Sequence, residues 1–273
     1  MRLVRTLLLT AALPLCLIGQ GPAALAEEEF CYAGDGNCLP PTEWPDICVE
    51  GNFNEQSPID IRDSSVEHLP VLIARYQKSD EITVITNGNN MEIQAREGND
   101  LLVVNEKQCE LTQFHFHSRS EHNLGGVSFP MEAHLVHQCD DQGLLVISVM
   151  LDYLKGKPNR ALGAALANAA RDQNGNFVEG ETTTSGVPYS PKDLLPRPLS
   201  RYFNYPGSLT TPPCSETVDW YVMKEPMSVS EEQVEEFRKM LADTSPDGAS
   251  FNNRPLRDLG DRTVERRGRG LPF

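Results

Sequence analysis

The sequence predicts a single α+β domain that is predominantly β. From about residue 58, short runs rich in β-branched and aliphatic residues follow one another and are separated by turn signals. "ITVIT" (82–86) ends at Asn87-Gly88, and "DLLVV" (100–104) follows a Gly-Asn-Asp turn. "GLLVISVML" (143–151) is almost continuously apolar, which is typical of a buried central strand. The chain shows no internal repeat and no linker long enough to divide it.

Two further segments have the pattern of helices. "NRALGAALANAARD" (159–172) is rich in alanine and free of proline. "SEEQVEEFRKMLAD" (230–243) begins with Ser230 and carries Gln233 at the third helical position, which is the arrangement of a capping box. We therefore expect two helices beside the sheet.

Residues 1–26 have the features of a secretory signal peptide. Two arginines precede an apolar stretch that ends in Ala-Leu-Ala, so we expect cleavage after Ala26. A membrane anchor is disfavoured because proline and a Gln-Gly-Pro stretch interrupt the apolar run, and no later segment could span a bilayer. Cys16 leaves a lipoprotein as an alternative, although Leu15 is bulky for that processing. We expect an exported protein in which residues 27–43 form an irregular N-terminal arm.

The charge disfavours two classes of partner. A formal net charge of −15 repels nucleic acid and anionic membranes. Only the last residues, "DRTVERRGRGLPF", are locally basic, and we expect a solvated C-terminal tail over 263–273.

The cysteines outside the signal peptide are even in number, which suggests disulfides in an exported chain. They are Cys31, Cys38, Cys48, Cys109, Cys139 and Cys214. Spacing alone does not select the pairing, although Cys31 and Cys38 are placed to tie the arm together.

The histidines are concentrated in one region: five of six fall between residues 115 and 137. In a strand, His115 and His117 project from one face and the phenylalanines beside them from the other. The segment "PMEAHLVHQ" (130–138) offers a second strand with His134, and the connection is long enough for it to return antiparallel. Three imidazoles could then meet at one point.

Three histidine nitrogens suit Zn²⁺ and leave the fourth coordination position for water. Two alternatives stand beside this interpretation. Single histidines are commonly core or surface residues, and cupin-type sandwiches offer similar metal-binding sets.

The sequence resembles the α-class carbonic anhydrases. Five blocks occur in order and together span about Trp44 to Arg262: "QSPIDI" (56–61), "FHFHSRSEH" (114–122), "MEAHLVH" (131–137), "YPGSLTTPPCSE" (205–216) and "NNRPL" (252–256). The resemblance implies a carbonic anhydrase domain over 44–262, built on a large, mostly antiparallel twisted sheet with peripheral helices.

The resemblance also implies roles at individual positions. His115, His117 and His134 match the zinc ligands. Thr210 matches the threonine that accepts a hydrogen bond from zinc-bound hydroxide, and Glu121 matches the carboxylate that accepts the threonine proton. A threonine that donates to Glu121 can only accept from the hydroxide, which orients it toward the substrate.

Other matched residues surround this set. Gln113 and Glu132 match the residues that fix the tautomers of His115 and His134. His122 and His137 match histidines of the inner scaffold, and Tyr32 matches a pocket-lining tyrosine. The family has an apolar substrate pocket, which suits uncharged CO₂. The residues that match this pocket are Val136, Val146, Leu209, Thr211, Val218 and Trp220.

Disulfides and cis peptides follow from the same match. Cys48 and Cys214 stand where exported members carry a disulfide. Cys109 and Cys139 come close together if His115 and His134 lie opposite each other in an antiparallel pair, so we expect a third bridge there. The Ser57–Pro58 and Pro212–Pro213 bonds match cis sites.

One departure concerns proton transfer. The family's proton-shuttle histidine follows an Asn-Gly pair at the end of a strand, and here Asn89 occupies that place in "TNGNNMEI". Asparagine carries no proton at neutral pH. His68 lies in a surface connection, and Glu92, with an ordinary carboxylate pKa near 4.3, would be a poor relay even if it lined the cavity.

The expected function is therefore zinc-dependent, reversible hydration of CO₂ to bicarbonate and a proton, without the usual histidine shuttle. We expect sulfonamides and anions as inhibitors and an exported location: outside the cell, in a periplasm or in an organelle lumen. A catalytically silent binding module is the alternative from another class. A hydrolase of small esters at the same site is a third hypothesis, and we treat ester hydrolysis as a side activity. Silent relatives typically lack a ligand histidine, whereas this chain has all three.

Overall fold

The computed structural model describes residues 30–34, 38–44, 48, 53–98 and 100–267. The predicted signal peptide and residues 268–273 lie outside the described residues. The strands within the described part, in chain order, are Asp60–Ile61 (β1), Ser65–Glu67 (β2), Leu72–Arg75 (β3), Ser79–Thr86 (β4), Met91–Gln94 (β5), Leu101–Val104 (β6), Lys107–His117 (β7), Asn123–Leu124 (β8), Met131–Cys139 (β9), Leu144–Asp152 (β10), Gly180–Tyr189 (β11), Tyr202–Gly207 (β12), Val218–Met223 (β13), Met227–Ser228 (β14) and Glu265–Arg267 (β15).

One large twisted sheet dominates the fold, as expected. Its main path runs β11-β4-β5-β7-β9-β10-β13-β12-β15-β2, with β6 on β7, β3 on β6, and β14 on β10. Most pairs are antiparallel, whereas β10 pairs with β13 and β14, and β15 with β2, in parallel. Strands β1 and β8 form a separate parallel pair. The predicted fold class is confirmed.

The central strands β7, β9 and β10 show why the sheet has two different faces. Successive side chains point to opposite faces, so Phe114 and Phe116 pack in the larger core cluster with the helices. Val146 and Trp220 belong to a second buried cluster on the opposite face. Strand β10 is buried along nearly its whole length, which confirms the prediction from its apolar run.

The two α-helices of the described residues are Arg160–Asn168 (α1) and Glu231–Thr244 (α2). The capping box of α2 is confirmed: Ser230 accepts from the Gln233 N–H, and the Gln233 side chain accepts from the Ser230 N–H. Helix α1 ends at Asn168, earlier than predicted, because Ala169 is extended and the chain then folds back on itself. The Ala170 C=O accepts from the Val178 N–H, and Arg171 pairs with Phe177 across the turn. No helix in the described part of the chain has the length and apolar character needed to cross a membrane.

The end of the chain differs from the expected solvated tail. Strand β15 lies inside the segment 263–273 and pairs on one side with Phe203 and Asn204 of β12. On its other side it pairs with β2. The segment therefore belongs to the sheet at least as far as Arg267. The backbone N–H and C=O groups of an edge strand favour such pairing, and local basic composition does not prevent it.

The structure contains the three predicted disulfides: Cys31–Cys38, Cys48–Cys214 and Cys109–Cys139. Cys109 lies six residues before His115, and Cys139 five residues after His134. A β-bulge between Leu111 and Gln113 absorbs the extra residue, so that both pairs lie opposite each other on β7 and β9.

Four peptide bonds in the described residues are cis. Ser57–Pro58 and Pro212–Pro213 confirm the expectation from the resemblance. Arg197–Pro198 and the non-proline bond Ser118–Arg119 were not expected.

A first prediction concerns Cys48–Cys214, which links residues 166 positions apart. The variant Cys48→Ser/Cys214→Ser should lose about 2–4 kcal/mol of unfolding free energy, because the bridge constrains the unfolded chain. Urea denaturation followed by circular dichroism measures this, and Cys31→Ser/Cys38→Ser, which opens a loop of only seven residues, is the matched control. Equal stability of the Cys48/Cys214 variant and the parent would contradict the prediction.

Candidate metal centre

The pairing of β7 and β9 brings three histidines together. His115 lies directly opposite His134, and His117 lies two residues along the same face. The ring centroids of His117 and His134 are 4.5 Å apart, and His115 lies 5.0 Å from His117 and 5.2 Å from His134. One nitrogen from each ring falls within 4.8 Å of the other two. The predicted convergence is therefore present.

Hydrogen bonds fix which nitrogen of each ring is free. His115 donates from Nδ1 to Gln113 Oε1 at 2.8 Å, and His134 donates from Nε2 to Glu132 Oε1 at 2.8 Å. His117 donates from Nδ1 to the main-chain oxygen of Asn252 at 2.8 Å. Because these oxygens act as acceptors, the lone pairs remain on His115 Nε2, His117 Nε2 and His134 Nδ1.

The three imidazoles are held in the neutral form. Burial lowers the pKa of His117 to about 4. Burial and the two neighbouring histidines hold the pKa of His115 well below its ordinary value. Burial also lowers the pKa of His134 despite the nearby carboxylate of Glu132. Neutral imidazole is the form that binds metal ions.

The carboxylate of Glu132 is the centre of a buried network. Its Oε1 accepts from His134, from His122 Nδ1 at 2.7 Å and from Ser148 Oγ at 2.6 Å. Its Oε2 accepts from the backbone N–H groups of Glu121 and His122. Burial alone would raise the pKa of Glu132, but electrostatic interactions and hydrogen bonds with the imidazoles of His122 and His134 hold it well below its ordinary value. Glu132 therefore stays ionised and orients His134.

Glu121 lies between this network and the free histidine nitrogens. Its Oε1 accepts from the backbone N–H of Arg254 at 2.8 Å. Burial raises the pKa of Glu121 to about 7, and a hydrogen bond from the Thr210 side chain acts in the opposite direction. Its Oε2 is buried without a partner and lies 3.6 Å from His117 Nε2, which is also buried without a partner.

These two buried atoms without hydrogen-bond partners indicate whether a metal ion fits the site. A buried polar atom without a hydrogen bond is costly. A cation bound by the three histidines would give His117 Nε2 a partner and would favour the ionised form of Glu121. Zn²⁺ takes three histidine nitrogens in catalytic sites. The residues present therefore fit zinc.

A cavity of about 310 Å³ opens beside the histidines. Of the expected pocket residues, Val136, Val146, Leu209, Thr211 and Trp220 line it, together with Thr210. Val218 does not line it; the side chain is buried behind the wall in the same cluster as Trp220. The wall opposite the polar groups is thus mainly apolar.

The cavity mouth includes the altered shuttle position. Asn89 lines the cavity and donates from Nδ2 to the Phe30 carbonyl at 3.2 Å. Glu92 also lines it, and burial raises the pKa of this carboxyl group, so the expectation of an ordinary carboxylate pKa at this position is wrong. His68 is exposed beyond β2, and His137 lies on the opposite face of the sheet, where Nε2 hydrogen-bonds Tyr76 at 2.6 Å. Neither histidine lies in this cavity.

Sequence reasoning missed two contributors. Asn252 supports His117 through a main-chain oxygen, which leaves no side-chain signal, although the block "NNRPL" pointed to the segment. Phe30 forms part of the cavity wall and lies in the irregular arm, where no periodic pattern exists. The buried contact of His122 Nε2 with Tyr205 Oη supports its expected scaffold role.

Comparisons with known proteins agree with this geometry. Residues 39–268 match the family model for eukaryotic-type carbonic anhydrase. A carbonic anhydrase of Pectobacterium carotovorum is 34% identical over 238 residues, which cover 85% of this chain and 88% of that protein.

Solved structures show the same similarity. The α-carbonic anhydrase of Photobacterium profundum superimposes with a TM-score of 0.73 at 33% identity, covering 86% of this chain and 99% of that one. The α-carbonic anhydrase of Thermovibrio ammonificans, solved with the inhibitor sulfanilamide, has a TM-score of 0.74 at 33% identity and covers 87% and 99%. With the histidine cluster, the cavity and the family model in agreement, this chain belongs to the α-class, eukaryotic-type carbonic anhydrases.

Proposed function

We propose that this enzyme hydrates CO₂ reversibly to bicarbonate and a proton, with Zn²⁺ held by His115, His117 and His134. The observation that carries the proposal is the convergence of three neutral imidazoles around His117 Nε2, a buried nitrogen without a partner. Bound Zn²⁺ lowers the pKa of a coordinated water to about 7, a value known from carbonic anhydrases themselves, and so supplies hydroxide at neutral pH.

Thr210 and Glu121 are proposed to orient the attacking oxygen. Thr210 uses its proton in the hydrogen bond to Glu121, so its oxygen can only accept. The backbone N–H of Arg254 holds the other oxygen of Glu121 in place. A fixed acceptor beside the free histidine nitrogens aligns a lone pair of the attacking oxygen with the substrate.

CO₂ is proposed to bind against the apolar wall. Val146 and Trp220 are buried in the wall, and Val136 and Leu209 are partly buried beside it. CO₂ has no charge or permanent dipole, so a wall without hydrogen-bonding groups holds it without loss of solvation.

Two further proposals concern ligands and location. Since the Thermovibrio enzyme was solved with sulfanilamide, we expect sulfonamides and small anions to bind at the same histidines here. Three disulfides within one chain fit an oxidising compartment, so we propose that residues 1–26 direct export. We propose that the catalytic domain begins near residue 44, as expected, and extends beyond the expected end at 262 to include β15.

The experiment is CO₂ hydration measured by stopped flow before and after removal of metal with a chelator, and after stoichiometric zinc is returned. We expect activity to disappear and to recover with zinc. Stoichiometric zinc without CO₂ hydration would instead indicate a silent binding module. Strong ester hydrolysis without CO₂ hydration would indicate the hydrolase.

A second prediction concerns the proton released in each turnover. Asparagine at position 89 cannot relay it, so the maximal rate should depend strongly on buffer concentration, and small imidazoles should accelerate it. In dilute buffer, Asn89→His should raise the maximal rate by up to about 10²-fold, the lower end of what a positioned proton-transfer group contributes.

The matched control is Asn174→His, which places the same side chain on a remote, exposed turn. Initial rates at several buffer concentrations, with kcat and kcat/KM separated, measure the effect. Full speed of the parent in dilute buffer, with no gain from Asn89→His, would show that another relay exists.

A further inference from the structure

In the described part of the N-terminal arm, three successive residues bind one side chain of the domain, that of Asp247. Its Oδ2 accepts from three successive backbone N–H groups, those of Tyr32 at 3.1 Å, Ala33 at 2.6 Å and Gly34 at 2.9 Å. Three successive N–H groups thus converge on one carboxylate oxygen. Gly34 has φ of +78°, a conformation that glycine adopts without strain. Successive N–H groups arranged in this way form an anion-binding concavity, and here the chain supplies its own anion.

The other oxygen of Asp247 is equally engaged. Its Oδ1 accepts from the Ser245 hydroxyl and from the Ala249 N–H at 2.9 Å. Burial alone would raise the pKa of Asp247, but the hydrogen bonds from Ser245 and from these backbone groups lower it to about 2. The carboxylate is therefore ionised throughout the neutral range, and its hydrogen bonds to the arm are charge-assisted.

The fastened arm forms one wall of the cavity. Phe30 and Tyr32 line the cavity and pack edge-to-face with each other and with Trp44. The Phe30 carbonyl accepts a hydrogen bond from Asn89 Nδ2, and both residues line the cavity. The Cys31–Cys38 bridge closes the arm into a loop behind this wall. Asp247 does not line the cavity itself, so it acts on this wall through its hydrogen bonds to the backbone of residues 32–34.

We propose that Asp247 is a specificity-determining residue: it holds the arm closed over the cavity and thereby limits the size of ligands that reach the histidines. The proposal rests on the proposed function, because the ligands are those of the zinc site. The arm's own contacts with Trp44 persist without Asp247, so its loss loosens the wall and leaves the rest of the domain folded. CO₂ is small enough to be unaffected by the wall.

The experiment compares two sulfonamides on zinc-loaded protein by titration calorimetry: sulfanilamide, with one ring, and 5-(dimethylamino)naphthalene-1-sulfonamide, with a bulky bicyclic ring. In Asp247→Ala, the ratio of the Kd for the bulky ligand to the Kd for sulfanilamide should fall about tenfold, equivalent to about 1.4 kcal/mol. Asp247→Asn keeps an acceptor oxygen but loses the charge, and should change the ratio less in the same direction. This variant carries the test if Asp247→Ala does not fold.

Asp172→Ala is the matched control. Asp172 likewise accepts from two backbone N–H groups, those of Asn174 and Asn176, but it lies on an exposed turn that does not line the cavity. Hydrogen–deuterium exchange of the arm amides is the second measurement. The amides of Tyr32, Ala33 and Gly34 should exchange faster in Asp247→Ala than in the parent protein. In Asp172→Ala, their exchange rates should equal those of the parent.

The outcomes separate this proposal from the function on which it rests. An unchanged ratio of the two Kd values, with or without faster exchange of the arm, overturns the role of Asp247 in ligand size. A parent protein that binds zinc and sulfanilamide in that experiment keeps the proposed function intact. Failure of the parent to bind zinc or either sulfonamide overturns both.

Discussion

Replacement of His117 by alanine is expected to remove bound zinc and nearly all CO₂ hydration. Catalytic zinc sites use three protein ligands, and two histidines do not hold the ion well. Loss of a residue that only supports a ligand typically costs 10–100-fold in metal affinity, so loss of the ligand itself should cost well over about 100-fold. Metal content by atomic absorption and CO₂ hydration by stopped flow measure the effect.

His137→Ala is the matched control for this variant. His137 is a buried histidine on the same strand as His134, but it faces the opposite side of the sheet and bonds Tyr76. Its loss should lower the stability of the fold and leave the zinc content at one ion per chain. Stoichiometric zinc and full activity in His117→Ala would remove His117 from the ligand set.

The second large effect is expected at the pair Thr210 and Glu121. Thr210→Val keeps the shape of the side chain but removes the hydroxyl that bonds Glu121, so the attacking oxygen loses its fixed acceptor. We expect kcat/KM to fall by about 10²-fold, as misplacement of a reacting atom by about 1 Å does. Zinc content should stay unchanged, because the three histidines that supply the ligand nitrogens are intact in this variant.

Glu121→Gln should have a similar effect, and the double variant should be little worse than either single one, because both changes break the same contact. Thr244→Val is the control: it removes a buried threonine hydroxyl whose partner is the Met240 carbonyl in helix α2. Full additivity of the two losses would show that Thr210 and Glu121 act independently.

The site could be predicted from the sequence where its residues lie on regular strands. His115 and His117 share one face of β7 because side-chain direction in a strand repeats every two residues. The length of the connection to His134 allowed the second strand to return antiparallel, and His134 lies opposite His115. The β-bulge near Thr112 was not predictable from the alternation of apolar and polar residues, because one extra residue in a strand leaves the local sequence pattern unchanged.

Main-chain and long-range contacts account for most of what the sequence did not indicate. Two of these contacts use main-chain groups: the Asn252 carbonyl orients His117, and the Arg254 N–H binds Glu121. Almost every residue type has such groups, so their positions depend on the fold and leave no signal in the sequence. Asp247 binds the arm more than 200 positions away in sequence. The early end of helix α1 reflects contacts with the residues that follow, since Ala170 and Arg171 pair with Val178 and Phe177 across a turn instead of continuing the helix.

The central claim is that His115, His117 and His134 hold one zinc ion. Crystals of the zinc-loaded enzyme, measured on both sides of the zinc absorption edge, test it most directly. The account predicts a single anomalous peak about 2.0–2.1 Å from His115 Nε2, His117 Nε2 and His134 Nδ1, with one further position open to solvent. A peak at any other group of residues, or a zinc ion that leaves His117 Nε2 uncoordinated, would contradict it.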